Sequence, residues 1–328
     1  MTKVTFMGIK ATVNNFEVWV YPKYDSSLHG QFDATVEAEY GEMLVEGKSI
    51  TLAHHGSRAD QPAPCLCPIC NPLDSGKILC SHFDLDTIGG VLEVMGIKPD
   101  EYEFWNGAAF IDVAGPHNFK LLRDTTVEDE LNAWYAFNEQ QKEKYPFKPG
   151  EPTLINEQLI DATVFLYDLF YDFKYREKYI NAGRVWRREI TTAVESRLEK
   201  ETAYVRMFKT DSVFCNGSYY SPTMSTIIPA VVALNTKTNA VTLSFEDGGK
   251  IFSAEEIVKE LWGNEAGGRA GIGGSPRGLV MTMEDATQLF DIVDKKLRDY
   301  DTQINPKRTP WRRALEQRIE RENALKLG

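Results

Sequence analysis

The sequence lacks any apolar stretch that approaches the roughly 20 residues needed for a membrane-spanning helix. Its beginning, Met1–Gly8, also lacks an apolar core of the length found in secretion signals. Two common signatures, of membrane insertion and of export, are therefore missing. We expect a cytoplasmic protein with no membrane partner.

An excess of basic residues is missing as well. The chain has 37 Lys and Arg against 48 Asp and Glu, which gives a net charge of −11 at pH 7. Affinity for duplex DNA comes from many Lys and Arg contacts to phosphate, so this balance argues against general duplex binding. It is compatible with a phosphate substrate that a metal ion bridges to the protein.

Cysteine is scarce, and its number is odd. Five cysteines in a chain without an export signal argue against a disulfide framework. Four of them lie close together in the sequence: Cys65, Cys67, Cys70 and Cys80. Four thiolates can hold a structural zinc ion, which is one prediction for this cluster. The alternative is that Cys80 simply packs as a buried thiol beneath its strand.

The length and the element pattern predict an α/β protein. A chain of 328 residues with 42% hydrophobic residues can form two packed domains. We expect a mostly parallel-sheet domain with a β-rich beginning over residues 1–125, followed by a helical linker over 126–206. A smaller α/β domain is expected over 207–300, and a C-terminal helix over 301–328.

The stretch Cys80–Gly90 is the strongest chemical signal. It follows the apolar run Lys77–Leu79, which predicts a strand, and it precedes a helical pattern. Open α/β sheets bind ligands where their strands end. In an extended segment, alternate residues point the same way, so His82, Asp84 and Asp86 can converge. One nitrogen and two carboxylates suit Mn²⁺ or Mg²⁺.

Other candidate ligands follow predicted strands elsewhere. His54 and His55 come directly after the strand pattern Ser49–Ala53 and are either site residues or surface histidines. Asp112 ends the short apolar run 108–111, which predicts either a strand tip or the start of a turn. His117 lies five residues further on.

A glycine-rich stretch marks the predicted second domain. It follows a predicted hairpin of strands 229–234 and 240–245 and a helix that Ser253 caps. Such a stretch exposes backbone amides, and arginines beside it suit phosphate. A flexible linker is the alternative. The predicted substrate-binding residues are Gly267, Gly268, Arg269, Gly273, Gly274 and Arg277.

Together these stretches resemble the DHH phosphoesterase superfamily. Ser81–Asp86 is similar to its first motif, a Thr/Ser-His-x-Asp-x-Asp run that supplies metal ligands. Phe110–Asp112 is similar to its second motif, a strand that ends in one aspartate. Residues 267–278 resemble the glycine-rich signature of its C-terminal DHH-associated domain, which binds the nucleotide or phosphate end of the substrate.

The resemblance implies a hydrolase in which residues 1–125 form the catalytic domain, with one or two Mn²⁺ ions, and residues 207–300 form the substrate domain. The catalytic and metal-binding residues would be Asp84, Asp86 and Asp112, with His82 and with His54, His55 or His117 completing the ligand shells. Metal-activated water would cleave a small phosphodiester, such as a short single-stranded oligonucleotide, a cyclic dinucleotide or a related nucleotide. A homodimer is one expected assembly.

One departure from the family leaves a non-catalytic alternative open. No Asp-His-His follows Asp112, and the only His-His pair, His54–His55, precedes the first motif. Either those histidines take the place of the missing pair in the folded protein, or the chain is a degenerate, non-catalytic nucleotide-binding protein.

The run His82–Gly90 also resembles the ligand run of metallo-β-lactamase-like hydrolases, which is the second alternative. That family's later histidines are missing here, and the glycine-rich stretch has no role in it.

Overall fold

The computed structural model describes residues 3–40, 43–55, 58, 60–114, 126–146, 151–211 and 216–304. The described residues up to Arg188 form one compact unit, and those from Glu189 onward form a second. Each unit combines helices with a sheet that contains parallel strands, so the predicted α/β class is confirmed. Along these ranges, no helix is both long enough and apolar enough to cross a membrane.

The first unit opens on a helix and then alternates strands with helices. Its elements are α1 (Lys3–Val13), β1 (Phe16–Val20), β2 (Ala34–Val36), β3 (Glu39–Tyr40), β4 (Met43–Leu44), β5 (Ile50–Leu52), β6 (Gly76–Cys80), α2 (Leu85–Val94), α3 (Tyr102–Ala114), α4 (Thr126–Lys144), β7 (Thr153–Leu154), α5 (Asn156–Tyr171) and α6 (Phe173–Glu195). The residues of α6 from Glu189 onward are assigned to the second unit.

A five-stranded sheet in the order β5-β2-β6-β1-β7 forms the centre of the first unit. The first four strands are parallel, and only β7 runs antiparallel, to β1. Val36 in β2 and Ile78 in β6 are fully buried, as expected for parallel strands that are covered on both faces. Because the strands are parallel, β2, β5 and β6 all end at the same edge of the sheet.

The segment predicted as a linker is divided between the two units: its described residues over 126–188 belong to the first, and 189–206 belong to the second. Strand β7 extends the sheet beside β1, and Asn156, the first residue of α5, bonds to the chain around β1. Its Oδ1 accepts from Val18 N at 3.0 Å, and its Nδ2 donates to Phe16 O at 2.7 Å and to Val13 O at 3.2 Å. The pattern of helices was predicted, but their packing on the sheet was not.

The second unit is built on a six-stranded mixed sheet in the order β14-β15-β13-β12-β9-β8. Its elements are β8 (Leu198–Glu201), β9 (Val205–Thr210), β10 (Tyr220–Ser221), β11 (Thr226–Ile227), β12 (Ala230–Asn235), β13 (Ala240–Phe245), α7 (Ala254–Trp262), β14 (Gly267–Arg269), β15 (Ile272–Gly274) and α8 (Met283–Ile304). The predicted hairpin is confirmed as β12 and β13, and Ser253 caps α7 through Glu256 N. Most of the predicted C-terminal helix, 305–328, lies outside the described residues.

The contacts of Asn156 predict how strongly α5 is tied to the sheet. We expect Asn156→Ala to lower the free energy of unfolding of the first unit by about 1–3 kcal/mol, because partly buried backbone groups lose their partners. Urea unfolding followed by tryptophan fluorescence measures this loss. The matched control is Asn14→Ala, at an exposed position near the end of α1. Equal stability of the two variants would contradict the assignment of these helices to the first unit.

Candidate metal centre

Three strand ends bring distant parts of the chain together at one edge of the first sheet. Glu37 follows β2 directly, His54 comes two residues after β5, and His82 comes two residues after β6. The parallel register pairs Val36 with both Leu52 and Cys80, so the three strand ends lie side by side. The fold thus gathers a carboxylate and two imidazoles that are far apart in the sequence.

His54 lies at the centre of a buried group of carboxylates. Its Nε2 is 2.9 Å from Glu37 Oε1, 3.1 Å from Asp112 Oδ2 and 3.2 Å from Asp86 Oδ2. One ring nitrogen carries at most one hydrogen, so it cannot satisfy three acceptors. Asp86 Oδ2 and Asp112 Oδ2 are indeed buried oxygens without a hydrogen-bond partner. Unpaired buried carboxylate oxygens that converge on an imidazole are the expected shell of a cation.

A second group of possible ligands shares Glu37 with the first. His82 Nε2 lies 3.2 Å from Glu37 Oε2 and 3.1 Å from Asp84 Oδ2. His55 Nε2 lies 3.2 Å from the other oxygen, Glu37 Oε1. The ligand atoms fall into two sets that each fit one cation, and Glu37 belongs to both: Glu37, His54, His55 and Asp112 form one set, and Glu37, His82 and Asp84 form the other.

Neighbouring polar groups fix the orientation of the second set. Ser81 Oγ lies 2.8 Å from His82 Nδ1, which leaves the Nε2 atom of that ring directed at the carboxylates. Asp84 is the N-cap of α2, where its Oδ1 accepts from Thr87 N at 2.9 Å and its Oδ2 faces His82. The Thr87 hydroxyl donates to Glu37 Oε2. Such outer contacts hold metal ligands in productive orientations.

The cysteine-rich segment positions Asp86. The backbone amide of Cys65 donates to Asp86 Oδ1 at 2.8 Å, which leaves Oδ2 of that carboxylate directed at His54. Lys98 Nζ in turn donates to Cys65 O at 2.8 Å. The segment packs closely on α2 because Gly89 has no side chain: a Cβ there would lie 2.4 Å from Cys65 Cβ. The cysteine-rich segment therefore holds the Asp86 carboxylate in this orientation.

The pKa values of the cluster favour positive charge on its histidines. Burial lowers the pKa of His54, but the close carboxylates of Asp112, Asp86 and Glu37 outweigh burial and raise that pKa to about 12. Burial opposes protonation of His82 too, yet Asp84 and Glu37 raise its pKa to about 10. Glu37 behaves in the opposite sense: burial would raise its pKa, but the three histidines hold it well below its usual range.

The backbone at Glu37 is strained in a way that points to function. Its φ of 49° is in the left-handed region, which a residue with a side chain adopts at a cost of about 1–3 kcal/mol. The side chain is fully buried, with ligand atoms on both of its oxygens. The sequence does not single out Glu37, because it lies inside an alternating pattern, Asp33–Tyr40, that predicts one continuous strand. A carboxylate at the exact end of a buried strand is the signal that could have found it.

Six of the predicted metal ligands come together in the structure: His54, His55, His82, Asp84, Asp86 and Asp112. The seventh, His117, lies outside the described residues. The local geometry differs from the extended segment that was predicted. Asp84 caps α2 and Asp86 lies in its first turn, so each carboxylate approaches a different part of the cluster.

The prediction that Asp112 ends a strand is wrong, because residues 102–114 form helix α3. Phe104, Ala108 and Ile111 recur at helical spacing and are buried. A short apolar run such as 108–111 does not distinguish a strand from a buried helix. The side chain reaches His54 from the helix nonetheless.

The four cysteines are free thiols in the structure. Among the described residues, no group of three or more ligand atoms close enough to share one ion includes a cysteine. Cys65 Sγ donates to Trp105 O at 3.5 Å, and Cys80 is buried in β6, as in the alternative that the sequence left open. Burial raises the pKa of both thiols, which disfavours the thiolates that zinc requires.

The glycine-rich stretch is a hairpin rather than an open loop. Gly267, Gly268 and Arg269 form the edge strand β14, while Gly273 and Gly274 lie in β15, which is paired on both sides. A Cβ at Gly268 would lie 2.2 Å from Ile272 O, so this glycine permits close packing within the hairpin. The backbone amides of β15 therefore lie in a strand that is paired on both sides, and not in an open loop. Arg269 and Arg277 are exposed.

Comparison with known proteins adds no family assignment. A scan of the chain against models of known protein families found no match, and neither did a search of curated proteins.

The raised histidine pKa values predict a pH-dependent metal affinity. Without metal, His54 and His82 hold protons at neutral pH, and a cation must displace them. We expect Mn²⁺ binding to release protons and to tighten as the pH rises from about 6 to about 8. Titration calorimetry in buffers of different ionisation enthalpy measures both effects. Mn²⁺ binding with no proton release and no pH dependence would contradict a site that contains these rings.

The hydrogen bond from the Cys65 segment to Asp86 predicts that Lys98, which lies outside the cluster, affects metal affinity. We expect Lys98→Met to weaken Mn²⁺ binding by roughly 10- to 100-fold, the range for outer-shell partners, because the Cys65 segment loses its anchor. Titration calorimetry is the measurement. The control is Lys77→Met at the surface, because Lys77 pairs with Glu17 at 3.1 Å much as Lys98 pairs with Glu93 at 2.7 Å. Equal affinities for the two variants would show that the segment does not position Asp86.

Proposed function

We propose that the chain is a metal-dependent phosphoesterase that hydrolyses a small phosphodiester. The observation that carries the proposal is the convergence of His54 with buried carboxylate oxygens that accept no hydrogen bond. The position of the cluster supports it, because ligands of open α/β sheets bind where parallel strands end. The resemblance of Ser81–Asp86 to the DHH phosphoesterase motif supplies the reaction class.

The donor set favours two ions of Mn²⁺ over Mg²⁺. Imidazole nitrogens suit transition metals, whereas Mg²⁺ prefers oxygen and retains several waters. One ion would be held by Glu37, His54, His55 and Asp112, and the other by Glu37, His82 and Asp84. Asp86 Oδ2 faces the first set through His54. When bound, such a pair of ions polarises the phosphoryl group and lowers the pKa of water.

The charge of the cluster supports two divalent ions. The cluster contains the four carboxyl groups of Glu37, Asp84, Asp86 and Asp112, whose ionised forms two divalent cations would balance. Burial raises the pKa of Asp86, so its ionised form is favoured only when a cation is close. Without cations, protons on the histidines provide part of that compensation, as the raised pKa values of His54 and His82 indicate. The same charge would repel a phosphate group if no cation were bound.

Differences in exposure indicate the side from which a substrate would approach. The side chains of His54, Glu37 and Asp86 are at most 3% exposed, whereas those of His55, His82 and Asp84 are 43–45% exposed. The half-exposed groups form the solvent face of the cluster, and the buried ones form its floor. A phosphodiester would therefore meet His55, His82 and Asp84 first.

The position of His54–His55 favours an intact site over the non-catalytic alternative. In the family that the sequence resembles, the paired histidines follow the second motif, whereas here they precede the first. Both rings nevertheless lie within 3.2 Å of Glu37 Oε1. We propose that this pair takes the place of the missing one. We also propose Arg269 and Arg277, both exposed, as phosphate-binding side chains of the second unit.

Mn²⁺-dependent turnover tests the proposed reaction. We expect hydrolysis of a short oligonucleotide and of bis(p-nitrophenyl) phosphate that needs Mn²⁺ and stops with a chelator. Asp86→Asn should lower the rate by more than about 100-fold, because the loss of outer-shell partners alone costs 10- to 100-fold. The exposed Asp74→Asn is the control. Tight Mn²⁺ binding without turnover of either substrate would favour the non-catalytic nucleotide-binding protein.

A further inference from the structure

A cavity of about 500 Å³ lies at the end of β1, outside the metal cluster. Its volume is within the range of roughly 300–1,000 Å³ that small-ligand sites occupy. Aromatic, apolar and charged side chains share its wall. The residues that matter for its chemistry are Tyr21, Lys23, Tyr24, Asp25 and Pro152. The Asp25 carboxylate accepts a hydrogen bond from Ser27 N at 2.8 Å, whereas Lys23 is the one cationic side chain among the described residues of this wall.

This cavity is next to the strand that carries the metal-binding motif. β1 pairs with β6 in parallel, with Val20 opposite Cys80, and Tyr21 N donates to Cys80 O at 2.9 Å. Tyr21 is therefore one strand spacing, about 4.8 Å, from the residues that precede His82. The Tyr40 hydroxyl, three residues after Glu37, donates to Tyr21 O at 2.8 Å. The cavity and the cluster thus lie on neighbouring strand ends at the same edge.

The ring of Tyr24 is held in place before any ligand binds. It packs against Tyr40 with ring centres 5.9 Å apart and an interplanar angle of 62°, and its hydroxyl lies 3.1 Å from His29 Nε2. Lys23, in the same wall, is exposed to solvent. A fixed aromatic ring loses little entropy when it stacks, and a nearby ammonium group attracts a phosphate.

We propose that this cavity binds the base of a nucleotide substrate, which stacks on Tyr24, while Lys23 attracts a phosphate of the same nucleotide. The inference rests on the proposed function, because it assigns the substrate of that site to the nucleotides. It also places base recognition within the first unit. The chemistry required is that of an aromatic heterocycle bonded to a sugar phosphate: stacking on an aromatic side chain is tolerant of base identity, so the cavity selects for a base but not for a sequence.

The test compares two probes that differ only in the base, adenosine 5′-monophosphate and ribose 5-phosphate, by titration calorimetry on the full chain. We expect the first to bind more tightly. Tyr24→Leu should weaken its binding by roughly 5- to 100-fold, as for other stacked bases, and leave ribose 5-phosphate unchanged. Tyr24→Phe should retain the affinity. The control is Tyr102→Leu, at a tyrosine that is 69% exposed on α3.

A second variant tests the cavity without altering its packing. Lys23→Gln, at an exposed position, should weaken both probes equally and reduce the salt dependence of binding. Its result remains interpretable if thermal unfolding shows that Tyr24→Leu is misfolded. Equal affinity for the two probes, or nucleotide binding that is unchanged in both variants, would overturn the proposal.

The outcomes separate this inference from the proposed function. If the protein shows Mn²⁺-dependent hydrolysis but no preference for the probe that has a base, base binding in the cavity is contradicted and the phosphoesterase function is not. If binding depends on Tyr24 but no Mn²⁺-dependent hydrolysis occurs, base binding in the cavity is supported and the phosphoesterase function is contradicted.

Discussion

The buried carboxylate of Glu37 is the constraint on which the first unit depends. It lies between three imidazole rings at the end of β2, in a backbone conformation that costs free energy. A buried charge that loses its partners costs several kcal/mol, so the strand ends and the histidines stabilise each other. The positions of β2, β5 and β6 are therefore tied to the chemistry of the site as well as to packing of the core.

Small residues connect the fold to the geometry of the site. Gly89 and Gly90 in α2 let the segment around Cys65 and Pro64 lie directly on the helix, where any side chain would collide. That contact puts a backbone amide against Asp86 Oδ1 and leaves Oδ2 for a cation. The glycines after the aspartates thus act through packing, and the cysteine-rich segment acts through its backbone rather than its thiols.

The sequence predicts the α/β class and most of the cluster, because His82, Asp84 and Asp86 lie within one motif after a clear strand. It does not predict Glu37 or the element that carries Asp112. The first is hidden in an alternating pattern that continues past the end of β2, and the second lies in an apolar run too short to reveal its period. The glycine hairpin is part of the second sheet because β15 pairs with β13, and the helices over 126–188 belong to the first unit, where β7 pairs with β1. Both pairings join residues far apart in the sequence, so local patterns do not predict them.

The exposed histidine of each ligand set has a kinetic consequence. Ligand exchange at a cation requires an open approach for water and for the departing ion. His55 in one set is 45% exposed and His82 in the other is 43% exposed, whereas Glu37, which belongs to both sets, is fully buried. Both ions would therefore exchange past these two rings. The activity of the proposed enzyme would then follow the free concentration of metal in its surroundings.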